Sequence, residues 1–269
     1  MNKKGRKGQR SWSLQPFPVT VILMVKHRSA AGTIVLFLVL GAGANGAARA
    51  QDNLPDLIKR VLPAVVTVVG FNAAGKVIRL GSGVFIDPEG HLITNLHVIK
   101  GVARAEVKLL KGEVYPLTEI VAADEKADLV KLVVNLPGGV PHYLTVSSAR
   151  PNAGERVIVL GSPLGLEQTA TDGMVSAIRT IRDRGEFLQI SAPISPGSSG
   201  GPVVNMAGQV IGIATFQVRG QGINFAVPGY RVLALRDGPS RPLPGPGAEG
   251  KSLPPRPGIN VPQPQIQVH

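Results

Sequence analysis

Cysteine is absent from this chain of 269 residues. Disulfide cross-links, zinc–thiolate sites and a cysteine nucleophile are thereby excluded together. Aromatics are scarce, 4% of residues against a hydrophobic fraction of 43%, so any core is built mainly from Val, Leu, Ile and Ala. Acidic residues are missing from the first 50 positions, which hold eight of the 29 Lys and Arg. The other 21 basic residues face all 17 acidic ones, so the formal charge of +12 drops to about +4 beyond that segment. No basic helix with interleaved aromatics occurs, which argues against nucleic acid as a partner. The apolar runs fall short of the roughly 20 residues that a membrane-crossing helix needs. No His-Glu-x-x-His spacing is present, and neither a metal nor a cofactor is expected.

The apolar run that does occur covers residues 30–42, after Lys26, His27 and Arg28 and before Ala48-Arg49-Ala50. A basic flank, a short apolar stretch and a small-x-small site make up a secretory signal peptide. It is expected to span residues 1–50, with Gln51 as the mature N-terminus and Met24 as an alternative start. An uncleaved segment would instead tether the chain to the membrane. A mature domain is expected over 51–236. It opens with a short helix, Leu54–Val61, and a strand from Ala64 to Gly70. Short β-rich runs broken by Gly, Pro, Asn and Asp follow, one set to about residue 135 and a second over about 140–232. Such spacing predicts an all-β sandwich or barrel. Tyr230–Arg236 reads as a closing helix. Residues 237–269 turn Pro- and Gly-rich, and are expected to form a disordered tail unable to offset its ordering entropy.

Ser195-Pro-Gly-Ser-Ser-Gly-Gly-Pro-Val203 is the most informative stretch. Such a cluster is often a plain turn. It also suits acyl transfer, which needs an exposed hydroxyl beside backbone N–H groups aimed at a developing oxyanion. Ser199 is the candidate nucleophile, with Ser198 as its competitor. The candidate oxyanion hole is formed by Gly197, Ser198 and Ser199, chiefly the N–H groups of Gly197 and Ser199. Two further segments belong with it. Gly81-Ser-Gly-Val-Phe leads to Thr94-Asn-Leu-His97-Val, and Asp124-Glu-Lys-Ala-Asp128-Leu-Val lies between His97 and the serine.

The order His97, Asp128, Ser199 in these contexts resembles the trypsin-like serine proteases of the HtrA (Deg) type. Gly161-Ser-Pro-Leu-Gly-Leu, Thr171-Asp-Gly-Met-Val-Ser-Ala and Gly222-Ile-Asn-Phe-Ala-Val-Pro extend the resemblance in order over about residues 55–232. Ser195 and Ser198 depart from it, standing where the family usually has Asn, and Ser191 stands where it has Asp. The resemblance implies two six-stranded β-barrels of the chymotrypsin/trypsin type with the active site in the cleft between them. It implies Ser199 as nucleophile, His97 as general base and Asp128 as the carboxylate that orients it. Asp124 is the competing carboxylate, with turn capping as its other role.

The same resemblance implies an exported, cofactor-free endopeptidase acting on unfolded or damaged proteins in the periplasm or outside the cell. Ile194, Ile213, Ala214, Thr215 and Phe225 are the expected substrate contacts. Residues Ile190–Ile194 include no acidic group, which predicts cleavage after small or medium apolar residues. Relatives are typically trimers built through N-terminal aromatics, yet Gln51–Gly70 contains none, which leaves a homotrimer open. Only 33 residues follow Arg236, so the PDZ domain usual in the family is not expected among them. A catalytically silent, chaperone-like binding module is the alternative reading.

Overall fold

The computed structural model describes residues 23–29, 32–38, 53–162, 169–218 and 223–243. Within 1–50 it places one antiparallel hairpin, β1 (Leu23–Ser29) and β2 (Gly32–Leu38). The rest of the predicted signal segment lies outside the described residues. Among those described, no helix is long and apolar enough to cross a membrane.

Asn53 starts α1 (Leu54–Val61) by accepting the Asp56 N–H at 3.0 Å on its side chain, a cap that satisfies a donor with no helical partner. Leu57 and Val61, one turn apart, are buried. A single 3-10 turn, Leu62–Ala64, then feeds the first strand.

The first sheet contains β3 (Val65–Phe71), β4 (Val77–Phe85), β5 (His91–Asn95), β6 (Arg104–Lys108), β7 (Val114–Leu117), β8 (Glu119–Asp124) and β9 (Leu129–Val133). A short helix, α2 (Leu96–Ile99), follows β5. The second comprises β10 (Arg156–Gly161), β11 (Thr169–Ile181), β12 (Gly185–Ile190), β13 (Pro202–Asn205), β14 (Val210–Val218) and β15 (Ile223–Pro228). After it come α3 (Gly229–Leu233) and a two-residue strand, β16 (Arg241–Pro242). The second sheet is a closed six-stranded barrel, ordered β10-β11-β12-β15-β14-β13. The first has eight strands, ordered β16-β8-β9-β5-β4-β3-β6-β7. Thr118 alone separates β7 from β8, so the two flanks of the sheet are consecutive stretches of one bent strand. The sheet therefore curls into a half-barrel, and the architecture is the trypsin-like pair.

Both faces of the strands at the junction are buried. Val65, Val84, Ile93 and Leu129 pack with Ile158, Leu160, Phe187, Val204 and Ile213 into one cluster shared by the two halves. Val66, Val68, Phe85 and Leu132 fill the first half, and Val157, Leu188, Ile211 and Ala226 fill the second. Two-sided burial explains why β3 is buried at every position and reads Val-Val-Thr-Val-Val-Gly-Phe rather than alternating apolar with charged residues. Glycine in β4 serves close approach. A Cβ at Gly81 would sit 2.7 Å from both Val98 methyls, and β4 runs through Gly81-Ser-Gly without a break.

The predicted tail differs over its first residues. Arg241–Pro242 pairs with β8, Gly238 N donates to Val121 O at 2.9 Å, and Leu243 N donates to Thr118 O at 3.0 Å. Leu243 is buried in the first core. One apolar side chain at the right position is enough to seat a segment whose average composition favours disorder. Residues 244–269 lie outside the described residues.

Candidate active site

β5 ends at Asn95, and the chain turns at once into α2, which carries His97. The turn is held from the neighbouring strand connection. Leu96 N and Asn95 Nδ2 both donate to Asp128 O, at 3.1 and 2.9 Å. Asp128 itself has φ +61°, a left-handed conformation that Asp tolerates better than most residues. Asp124 caps the approach to it, accepting Ala127 N at 2.9 Å, while its other carboxylate oxygen meets Arg231 Nη2 at 3.2 Å.

This backbone geometry turns the Asp128 carboxylate onto the imidazole. Oδ1 accepts His97 N–H at 2.9 Å, and Oδ2 lies 2.6 Å from Nδ1. Thr215 Oγ1 donates to the same Oδ2 at 3.1 Å. Burial pushes the carboxyl pKa up, but the hydrogen bonds from His97 and Thr215 and the charge of His97 outweigh it and hold the group below its ordinary value. The His97 side chain is 48% exposed and that of Asp128 is 17% exposed, so the imidazole meets solvent on its outer side while its partner is shielded.

Ser199 sits between two glycines that permit its turn. Gly197 has φ +97° and Gly200 φ +87°, conformations that glycine adopts without a Cβ penalty. A Cβ on Gly200 would also fall 2.2 Å from Ser82 O and from Thr94 Oγ1. Gly200 N donates to Ala214 O, and Ala214 N to Gly201 O. The Ser199 hydroxyl donates to Thr215 O at 3.0 Å. Thr215 thus bonds to both the serine and the aspartate, one through its carbonyl and the other through its hydroxyl. The sequence alone points to it only as a substrate contact. Ser82, buried in β4, is a further residue of the site, and its sequence signal is a small polar residue inside an apolar strand.

Three expectations need correction. The Ser198 N–H donates to Ser195 O at 2.9 Å, so the turn consumes it and only Gly197 and Ser199 remain as candidate oxyanion donors. Ile213 is fully buried in the shared core, and its backbone pairs on both sides, with Pro202 and Val227. Ala214 is held likewise, by Gly201 and Ala226. Neither offers a free strand edge. The open edge begins further along, where Phe216 and Gln217 pair only with β15. Ile194 is buried in the second core, and Phe225 stacks on Phe216 with ring centroids 4.9 Å apart. Part of the Gly161–Leu166 motif and Gly222 lie outside the described residues.

Asp87, Glu89 and His91 offer ligand atoms within 4.8 Å of one another. However, Asp87 accepts His91 N at 3.1 Å and meets His91 Nδ1 at 2.7 Å. These contacts close the β4–β5 turn and account for the pairing of Asp87 with His91.

Residues 81–213 match the family model described as a trypsin-like peptidase domain. The serine protease HTRA1A of Danio rerio is 34% identical over 239 residues, covering 84% of this chain and 48% of that protein. A probable periplasmic serine endoprotease, DegP-like, of Chlamydia pneumoniae is 38% identical over 160 residues, 55% of this chain and 32% of its own. The chain thus spans at most about half the length of these relatives. A solved HtrA-type protease, a variant with a tripeptide, superposes with a TM-score of 0.60 at 32% identity, covering 67% of this chain and 61% of the other. The stretch that carries His97, Asp128 and Ser199 is a trypsin-like peptidase domain of the kind found in the HtrA serine proteases.

Proposed function

We propose that the chain is an exported serine endopeptidase that hydrolyses unfolded or damaged proteins through Ser199, His97 and Asp128. The carrying observation is the Asp128 carboxylate, which grips His97 at two points and reaches Ser199 through Thr215. A hydroxyl becomes a useful nucleophile when a fixed base takes its proton. The carboxylate at Nδ1 leaves Nε2 as the basic nitrogen, which accepts the Ser199 proton and later passes it to the leaving amine. In the resting geometry the hydroxyl is turned to Thr215 O, so it must rotate towards Nε2 on substrate binding. That contact is also the one observation in favour of a silent binding module. Casein digestion by the wild type and by Ser199→Ala decides between the two readings. A difference supports the enzyme, and equal rates overturn it.

The substrate backbone would add to the open edge of β14 at Phe216 and Gln217, a strand-addition mode. Phe216 and Phe225 supply an apolar wall, and the Arg184 guanidinium stands 5.0 Å from the Phe216 ring centroid. A cation there repels basic side chains. Cleavage sites in casein, mapped by mass spectrometry, are expected after Ala, Val or Leu. A majority after Lys or Arg would refute this preference.

Export rests on the three-part leader and on the periplasmic relative. Edman sequencing of the protein recovered from a bacterial host is expected to begin at Gln51. An intact leader would favour the tethered form.

A further inference from the structure

Ser82 is completely buried in β4 of the first sheet, yet its polar atoms serve the second barrel. Its N–H donates to Ser199 O at 2.8 Å. Its hydroxyl donates to Gly197 O at 2.7 Å and accepts Ser162 N–H at 2.9 Å. Its carbonyl accepts the Thr94 hydroxyl at 2.6 Å, and Thr94 lies three residues before His97. The surroundings are close-fitting: a Cβ on Gly161 would come 3.1 Å from Ser82 Oγ and 2.9 Å from Ser198 Cα. Burying a hydroxyl in such a place is tolerated because both its roles are filled. Removing it takes from the Gly197 carbonyl the hydroxyl that it accepts, at the cost of that carbonyl's desolvation if it stays buried without a partner.

The carbonyl that Ser82 holds belongs to the peptide joining Gly197 to Ser198. The other side of that peptide, the Ser198 N–H, is held by Ser195 O. The two candidate oxyanion donors flank this plane, Gly197 N–H before it and Ser199 N–H after it. Gly197 is free to leave its present conformation at little cost, so the direction of both donors depends on what pins the peptide between them.

We propose that Ser82 is a positioning residue for acyl transfer, a hydroxyl clamp across the barrel junction that keeps the N–H groups of Gly197 and Ser199 converged on the developing oxyanion. This inference rests on the endopeptidase reading above. An oxyanion donor contributes mainly in the transition state. Ser82→Ala in the full chain is therefore expected to lower kcat, per site titrated with fluorophosphonate, by about 10- to 100-fold, with KM within about twofold of wild type. Affinity for a peptide boronate, whose tetrahedral oxygen occupies the oxyanion position, should fall by a similar factor. A merely structural role would lower Tm and the number of titratable sites but leave both per-site values unchanged.

Ser82→Cys keeps the side-chain shape with a larger atom and a weaker donor, and should lie between the two. It carries the test if the alanine variant does not fold. Per-site kcat and boronate affinity matching wild type, in an enzyme that does cleave casein, would overturn the clamp alone. A wild-type protein that cleaves nothing would remove the endopeptidase reading and the clamp with it.

Discussion

Ser199→Ala is expected to lower casein hydrolysis by about four orders of magnitude or more, because under the proposed mechanism it removes a nucleophile that acts as a unit with its base. The fold should hardly register the change. The Ser199 hydroxyl makes one hydrogen bond, to Thr215 O, and the net worth of such a bond is about 1 kcal/mol. The Ser82 N–H to Ser199 O contact and the Gly200 N–H to Ala214 O contact are backbone bonds that an alanine retains. A near-wild-type Tm combined with lost turnover therefore separates chemistry from folding. Fluorophosphonate labelling supplies the second readout. The adduct should map to Ser199 in wild type and vanish in the variant. Equal casein rates for the two proteins would overturn the enzyme reading.

The local motifs were legible because their residue types answer to backbone requirements a few positions away. Gly197 and Gly200 have positive φ, and glycine around a serine announces such a turn without any knowledge of the fold. The helix Leu54–Val61 was legible for the same reason: its cap and its buried residues lie within eight positions. Contacts across the junction were not. Ser82 and Gly197 are 115 positions apart, and Asp128 and Thr215 are 87 apart. No periodicity encodes either pair. The strand edge was misjudged because the residues at Ile213 and Ala214 look the same in sequence whether β13 pairs beside them or stops short. The half-barrel likewise turns on Thr118, where one bent strand supplies both flanks of the sheet. The tail was misread over Arg241–Leu243 because disorder was judged from average composition, whereas docking depended on one leucine.

Asp128→Asn keeps the shape of the side chain and reverses its hydrogen-bonding sense at one atom. Oδ1 still accepts His97 N–H, but the amide nitrogen that replaces Oδ2 donates to Nδ1. That contact places the imidazole proton on Nε2, where it can no longer accept one from Ser199. The charge that stabilises the imidazolium is lost as well. A fall in kcat of about 10⁴ follows from the wrong tautomer, with KM changed much less. Thr215 Oγ1 also loses its acceptor, so Thr215 must turn to another partner. Stability should respond in a way that depends on pH. The native Asp128 carboxyl has its pKa held below the ordinary 3.8, so the unfolded chain binds more protons at acid pH. Stability from this group is present above the unfolded value and is lost as pH falls through the folded one. Between about pH 5 and pH 3 the wild-type Tm should therefore drop more steeply than that of Asp128→Asn, which has no such group to titrate. Parallel melting curves over this range would show that the His97–Asp128 pair contributes no net stability. Full activity in the asparagine variant would show that the Asp128 carboxylate does not set the tautomer of His97 for catalysis.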